Sequence, residues 1–255
     1  MEIYVEHFVL FLMFFLRVSA LLLTAPMFGH QAIPLQVKVV LAMFLSYVLF
    51  TFHITQSIVV DLKLVSLFVL AVKEMITGAS IGFAIGIIFG GVRYAGELIS
   101  YDMGFSMATM YDPENNASFP VIGEMLYWYL LMIFILLNGH HFIIEALIGS
   151  YKAIPIGTWN ISEGAIQKLI SLTGQMFIVA VKIAAPVLVS LFIANISIGI
   201  LNKAMPQMNI FGIIFSLKIG LGAIVLIATI PVIAFVFKKI LSVFESSIID
   251  FMRLL

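Results

Sequence analysis

The sequence predicts an all-α protein of the polytopic membrane type, with about six long apolar helices or helical hairpins. Of its 255 residues, 63% are hydrophobic and only 10% are charged, whereas soluble domains carry about 25% charged residues. Six apolar segments approach or exceed the roughly 20 residues that a helix needs to cross a bilayer, and none shows the alternation of a membrane β-barrel strand. The segments are 8–25, 39–60, 64–92, 121–148, 169–200 and 211–237.

Charged residues interrupt five of these segments. A charge at the centre of a membrane helix costs at least ~2.5 kcal/mol, so these side chains need partners, polar cavities or the membrane surface. The longer segments can also be bent hairpins, with Pro186 as the expected break. With six crossings both termini share one side, and the excess of Lys and Arg on that side favours cytoplasmic termini. The interrupting residues are Arg17, Lys73, Glu74, Glu145, Lys182 and Lys218.

Several classes of function have no support in the sequence. The absence of cysteine excludes disulfides, thiol chemistry and thiolate metal sites. A formal net charge of zero provides no basic field for nucleic acid. No phosphate-binding loop or nucleophile elbow occurs. His141 and Glu145 are spaced for one helix face, but no third metal ligand is indicated. We therefore expect no enzyme, no cofactor and no metal.

Four glycines in the third segment recur every four residues: Gly78, Gly82, Gly86 and Gly90. They leave a bare stripe along one face of a helix, where a second helix can approach backbone to backbone. We interpret the stripe as a packing face, within this chain or to a partner, rather than as the lining of a pore.

A charged pair and a row of methionines follow the glycine stripe. Arg93 and Glu97 share a face and can pair if the helix continues past Gly91. Three methionines, at positions 103, 107 and 110, then recur at helical spacing. Methionine is unbranched and adaptable, so this face suits a deformable seal, although apolar residues at such spacing more often form a core.

The polar stretch from 111 to 120, YDPENNASFP, stands between two long apolar runs. Its charged and amide side chains cannot lie exposed in hydrocarbon, so it faces water, a pore or a partner. Two prolines bracket a centre that favours turns. The residues alone leave two interpretations open, a solvent-exposed connection and a functional closure.

Six strings in fixed order carry a resemblance that covers most of the chain. They are TAPMFGHQAIP (24–34), VKEMITGASIGFAIG (72–86), VRYAGELISYDMGFSMATMYDP (92–113), LLNGHHFIIEALIGSYKAIPIG (136–157), AAPVLVSLFIAN (184–195) and GILNKAMPQMNIFG (199–212). In this combination the sequence resembles the FliR/SctT family of export-gate proteins of bacterial flagella and type III secretion systems. The GELI, DMGFS, YDP and NGHH elements look more like the flagellar branch.

The resemblance implies a single export-gate domain over 1–255, with N-terminal helices and a plug loop up to about 120 and C-terminal helical hairpins from about 121. It implies helices packed into a helical multi-subunit gate with FliP-type and FliQ-type subunits, beside an FlhB-type switch protein. Unfolded secreted proteins would be the substrates. The implied location is the bacterial inner membrane, within the flagellar basal body and raised toward the periplasm, in contact with membrane lipid.

The same resemblance implies that the loop after the third segment closes a central channel. The side chains expected to occlude it are Met103, Met107, Met110, Tyr111 and Phe119. The whole expected plug comprises Met103, Met107, Met110, Tyr111, Asp112, Pro113, Glu114, Asn115, Asn116, Ala117, Ser118, Phe119 and Pro120. The charges expected to fix contacts between subunits are Arg17, Lys73, Glu74, Arg93, Glu97 and Lys182.

Two rival functions remain open from the sequence. Intramembrane ionisable residues are functional by default, so a small secondary transporter or ion channel can use Lys73, Glu74, Glu97 and Lys182. A passive membrane scaffold without a channel role is the second rival.

Overall fold

A computed structural model describes residues 2–53, 63–105, 121–160, 162–204 and 210–255. These residues form seven α-helices and no β-strand, which confirms the all-α prediction. The helices are α1 (Glu2–Thr24), α2 (Leu35–His53), α3 (Leu64–Met103), α4 (Val121–Leu136), α5 (Gly139–Ala153), α6 (Glu163–Ala204) and α7 (Ile210–Leu254).

The expected break at Pro186 is wrong. Helix α6 continues through Pro186 for 42 residues, and α7 continues through Pro231 for 45 residues. A proline removes one helical hydrogen bond, but long apolar helices tolerate it when other groups compensate.

The break lies instead in the fourth predicted segment, between α4 and α5. Asn138 adopts a left-handed conformation with φ 62°, which asparagine tolerates better than most residues. Helix α4 ends at Leu136, and α5 begins at Gly139. Segment 121–148 is therefore two short helices rather than one span.

The chain divides into two compact units. Unit 1 contains residues 1–87, 137–173 and 244–255, and unit 2 contains residues 88–136 and 174–243. In unit 1, the Phe14 ring stacks on Tyr151 with centroids 4.5 Å apart, and Phe50 meets Phe14 edge-on. These contacts join α1, α2 and α5.

Unit 2 is centred on Phe89 of α3. Its ring makes edge contacts with Tyr127 and Phe134 of α4 and with Phe237 of α7, at centroid distances of 5.8, 5.3 and 5.8 Å. Such pairs add about 0.5–1.5 kcal/mol beyond the area they bury. The cluster fixes α4 and α7 against the second half of α3.

Five of the described helices are long and apolar enough to cross a membrane, or six if the bent pair α4–α5 counts as one span. Large apolar side chains on these helices point outward, including Phe68 and Phe235, each 71% exposed. Exposed apolar area on this scale needs lipid or protein around it. The chain is a membrane-embedded protein.

Candidate functional site at the ends of the predicted plug loop

Most of the predicted plug, Met107 and Met110 to Pro120, lies outside the described residues. The structure describes both ends of the loop that contains it, up to Phe105 at the end of α3 and from Val121 at the start of α4. These two ends, both in unit 2, form the candidate site. They determine where the loop leaves the helices and where it returns.

A glycine motif ends α3. Gly104 has φ 90°, and its N–H donates to the Tyr101 carbonyl at 3.1 Å, while the Phe105 N–H donates to the Ser100 carbonyl at 3.0 Å. These paired bonds form a Schellman motif, which satisfies carbonyls that a helix end otherwise leaves unpaired. The DMG element of the sequence thus fixes where the helix ends and the loop begins.

Side chains from two other helices hold this end of α3. The Lys218 ammonium of α7 donates to the Asp102 carbonyl at 3.1 Å, and the Asn195 amide of α6 donates to the Asp102 carboxylate at 3.5 Å. A cation at a helix C-terminus is favourable because the carbonyls there carry partial negative charge. Lys218, the charge in the sixth predicted segment, thus has a hydrogen-bond partner, as expected for a charge within an apolar run.

Met103 packs beneath this polar cluster. Its side chain is 1% exposed and lies directly against Gly222 of α7, where an added Cβ would stand 2.8 Å from the methionine Cε. Gly104 faces the Phe215 ring in the same way, with a Cβ distance of 3.3 Å. Met103 therefore anchors α3 to α7 and does not present a free side chain.

The other end of the loop is held by close contact between α3 and α4. Gly96 and Gly123 meet backbone to backbone, so closely that a Cβ on Gly96 would overlap Gly123. Small residues permit this approach between helices. Gly96 does not belong to the stripe of glycines at every fourth position, and no regular spacing in the sequence predicts its contact with α4.

Arg93 pairs with Glu124 rather than with Glu97, so the expected pair within α3 is corrected. Helix α3 does continue past Gly91, but Arg93 Nε lies 3.2 Å from Glu124 Oε1, and its guanidinium stands 4.1 Å over the Tyr127 ring. Glu97 is exposed. A long arginine reaches the neighbouring helix because the Gly96–Gly123 contact brings α4 close. Spacing along one helix cannot reveal such a partner.

Unit 1 contains a separate buried charge cluster. Arg17 of α1 and Glu74 of α3 are 0% exposed and pair at 2.6 Å. Arg17 also donates to the carbonyls of Ser150 and Ile154 at 3.2 and 2.9 Å. One guanidinium thus joins α1, α3 and the end of α5 through charge-assisted bonds. Nε and Nη1 of Arg17 thus have partners inside this chain, whereas the buried Nη2 has no hydrogen-bond partner among the described residues.

Neighbouring groups complete the cluster. The Tyr151 ring lies 4.4 Å below the Arg17 guanidinium. The Glu74 carboxylate accepts from the Gly157 N–H at 2.9 Å, and Lys73 donates to the Gly157 carbonyl at 3.2 Å. Gly157 has φ 80°, which favours glycine at this turn. Adjacent charges on α3 thus hold one loop residue from both sides.

The glycine stripe of α3 faces two different helices. In unit 1, Gly78 and Gly82 lie against the backbone of α1, and a Cβ on Gly86 would be 3.6 Å from the Thr24 carbonyl. In unit 2, Gly90 faces the Met176 sulfur of α6, with a Cβ distance of 3.3 Å. The contacts made by the described stripe lie within this chain.

Four of the charges predicted to act between subunits make bonds within this chain: Arg17, Lys73, Glu74 and Arg93. Within the described ranges, no three His, Asp or Glu side chains are placed to hold a metal ion. His140 and His141 lie ring to ring, 4.2 Å apart. Lys182 is exposed on α6. The arrangement positions helices and the two ends of a loop.

Comparison with known proteins decides the family. The profile of the family described as "Bacterial export proteins, family 1" matches residues 8–243. The chain belongs to this family. Its similarity extends to proteins described as "Flagellar biosynthetic protein FliR". The Escherichia coli protein is 34% identical over 222 residues, covering 86% of this chain and 83% of that protein.

Two further relatives match over a larger share of both chains. The FliR protein of Bacillus subtilis is 31% identical over 242 residues, or 93% of this chain and 92% of that protein. The FliR protein of Aquifex aeolicus is 29% identical over 250 residues, or 96% of each chain. These matches confirm the resemblance to the FliR/SctT family and its flagellar branch.

Proposed function

We propose that this chain is a subunit of a flagellar protein export gate, and that its loop between α3 and α4 closes the channel of that gate at rest. One observation carries the closing role: both ends of the loop are fixed within unit 2, by the Schellman motif at Gly104 and by the contact between Gly96 and Gly123. A closure works only if its position is determined. Fixed ends limit the region that a connecting segment of this length can reach.

The sealing side chains in this proposal are Met107, Met110, Tyr111 and Phe119. Met103 belongs to the anchor, because it is buried against α7. Flexible methionines suit a seal that a passing chain displaces, since opening then requires a change of only a few kcal/mol between two states. The polar residues from Asp112 to Ser118 keep the loop out of hydrocarbon.

The partners in this proposal are FliP-type and FliQ-type gate subunits and an FlhB-type switch protein. The gate lies in the bacterial inner membrane within the flagellar basal body, raised toward the periplasm, and unfolded secreted proteins pass through it. Glu97 suits a contact between subunits because it is exposed. Arg17 and Glu74 pair with each other inside the subunit, so in this proposal they stabilise the subunit itself.

Removal of the loop centre tests the proposal. We expect a variant lacking residues 114–119 to assemble with its partners yet to leak small ions, measured as dye-reported ion flux in cells or in vesicles that contain the whole gate. A matched variant replaces the same six positions with Gly and Ser, which keeps the length and removes the Phe119 ring. Intermediate leakage from this variant would show that both the backbone and the side chains seal.

Two results would contradict the proposal. Normal assembly and export without leakage by the deletion variant would support a passive scaffold. Ion or solute flux through the purified chain alone in liposomes would support a small channel or transporter.

A further inference from the structure

Helices α6 and α7 carry an uncharged band with lysines at both borders. Neither 183–202 in α6 nor 219–237 in α7 contains Asp, Glu, Lys or Arg. Each stretch of about 20 residues matches the ~30 Å thickness of a hydrocarbon core. Charged side chains at such borders extend to the headgroup level. The border residues are Lys182, Lys238 and Lys239 at one end and Lys203 at the other, where Lys218 instead donates to the Asp102 carbonyl.

A groove of about 490 Å³ lies between α6 and α7 at the first border. Its charged lining residues are Lys182 and Lys239, both exposed, while Ile178, Phe235 and Ile240 contribute apolar walls. Across the part of the chain that the structure describes, neither ammonium forms an ion pair. The groove thus combines apolar walls with two cations that lack an ion-pair partner among the described residues, at the border of the uncharged band.

We propose that this groove is a binding site for an anionic phospholipid. The phosphate lies between the ammoniums of Lys182 and Lys239, and an acyl chain follows the apolar wall past Phe235. Basic pockets between membrane helices take anionic headgroups. Lysine suits a phosphate that stays partly hydrated, since it acts as a compact point charge. An acidic helix of a partner protein is a less favourable occupant than a phospholipid. Such a helix would bury its ion pairs with the two lysines, and the cost of desolvating these charges cancels much of their attraction.

A lipid-binding measurement on the purified full chain in neutral detergent tests the site. Native mass spectrometry with added phosphatidylglycerol or phosphatidylcholine gives the relative affinities. We expect the wild-type chain to prefer phosphatidylglycerol. This preference should fall ~5-fold with Lys182→Gln or Lys239→Gln and ~30-fold with both, because each lysine near an anionic headgroup contributes about 1 kcal/mol to the binding free energy. Phosphatidylcholine binding stays unchanged.

Lys238 supplies the matched control because it has the same charge and neighbours Lys239 but does not line the groove. We expect Lys238→Gln to keep the preference within about twofold, as the field of one charge outside the site is screened by salt. The charge-conserving variant Lys182→Arg/Lys239→Arg also keeps it. These exposed substitutions leave the thermal unfolding temperature of the chain unchanged.

Three outcomes would overturn the proposal. The wild-type chain shows no preference for phosphatidylglycerol, or Lys238→Gln weakens binding as much as the groove variants do. In the third outcome, the double Gln variant keeps its lipid preference but loses hydrophobic subunits that co-purify with the wild type, which would assign the groove to an acidic segment of a partner. Protein export is not part of the readout, so the result is independent of the proposed gate function.

Discussion

Replacing Glu74 with Gln removes the negative half of a fully buried ion pair while keeping its size. Glu74 Oε2 lies 2.6 Å from Arg17 Nε, and both side chains are 0% exposed. Removing one partner of such a pair typically costs 3–5 kcal/mol, because the other charge stays buried without compensation. Arg17 keeps its bonds to the Ser150 and Ile154 carbonyls, so we expect the lower end, about 3 kcal/mol.

Thermal unfolding of the purified full chain in detergent measures this loss. For a chain of this size, about 3 kcal/mol corresponds to a decrease of ~6–12 °C in Tm. A second substitution, Arg17→Met, completes a double-mutant cycle. In the Arg17→Met background, Glu74→Gln removes the remaining buried charge, so we expect it to be neutral or stabilising there.

This change of sign between backgrounds is the decisive result. If Glu74→Gln lowered the Tm equally with and without Arg17, the two effects would be additive and the pair would not be the stabilising contact. If Glu74→Gln changed the Tm by less than 2 °C in the wild-type chain, the claim that the charge is buried and paired would fail.

Three further predictions concern the two ends of the loop, and the same unfolding measurement checks them. Gly96→Ala should lower the free energy of unfolding by about 1–3 kcal/mol, because its Cβ would overlap the backbone of Gly123. The control Gly199→Ala has open space around its Cβ and should leave this free energy unchanged or raise it by up to ~1 kcal/mol. Equal effects of the two substitutions would contradict the close contact at Gly96. Gly222→Ala should lower the free energy of unfolding by less than Gly96→Ala does, because the added Cβ meets the flexible side chain of Met103 rather than backbone. A larger loss for Gly222→Ala would contradict the assigned packing. Glu124→Gln should change stability by less than ~1 kcal/mol, because its ion pair is partly exposed, and a larger loss would show that the pair is shielded from water.

Composition and segment length were sufficient to predict the fold class. A 63% hydrophobic chain with segments of membrane length has few alternatives to packed helices. The bend at Asn138 was not predicted, because the chain on both sides is equally apolar and the break depends on one residue in a left-handed conformation. The continuity of α6 through Pro186 was missed for the opposite reason, since the local rule for proline was outweighed by its surroundings.

The contacts that hold the two ends of the loop were not predictable from the sequence, and the plug itself stays a prediction. The polar content of the loop showed that it cannot lie in hydrocarbon but left open whether it is a solvent-exposed connection or a closure. The cost of a buried charge indicated that Arg17, Glu74 and Lys218 need partners or polar surroundings. Their partners lie on other helices, at sequence separations of 57 residues for Arg17 with Glu74 and 116 for Lys218 with Asp102. A single sequence contains no periodic signal for pairings at such distances.

The bonds of Arg17 also set an order for biosynthesis. Its acceptors are Glu74, Ser150 and Ile154, and the last of these lies 137 residues further along the chain. At ~5–20 residues per second, the ribosome needs on the order of 10 s to add that length. During this interval α1 carries a guanidinium that lacks most of its final partners, at a cost that favours a shallow position in the bilayer. We therefore expect α1 to reach its final depth only after α5 has been made.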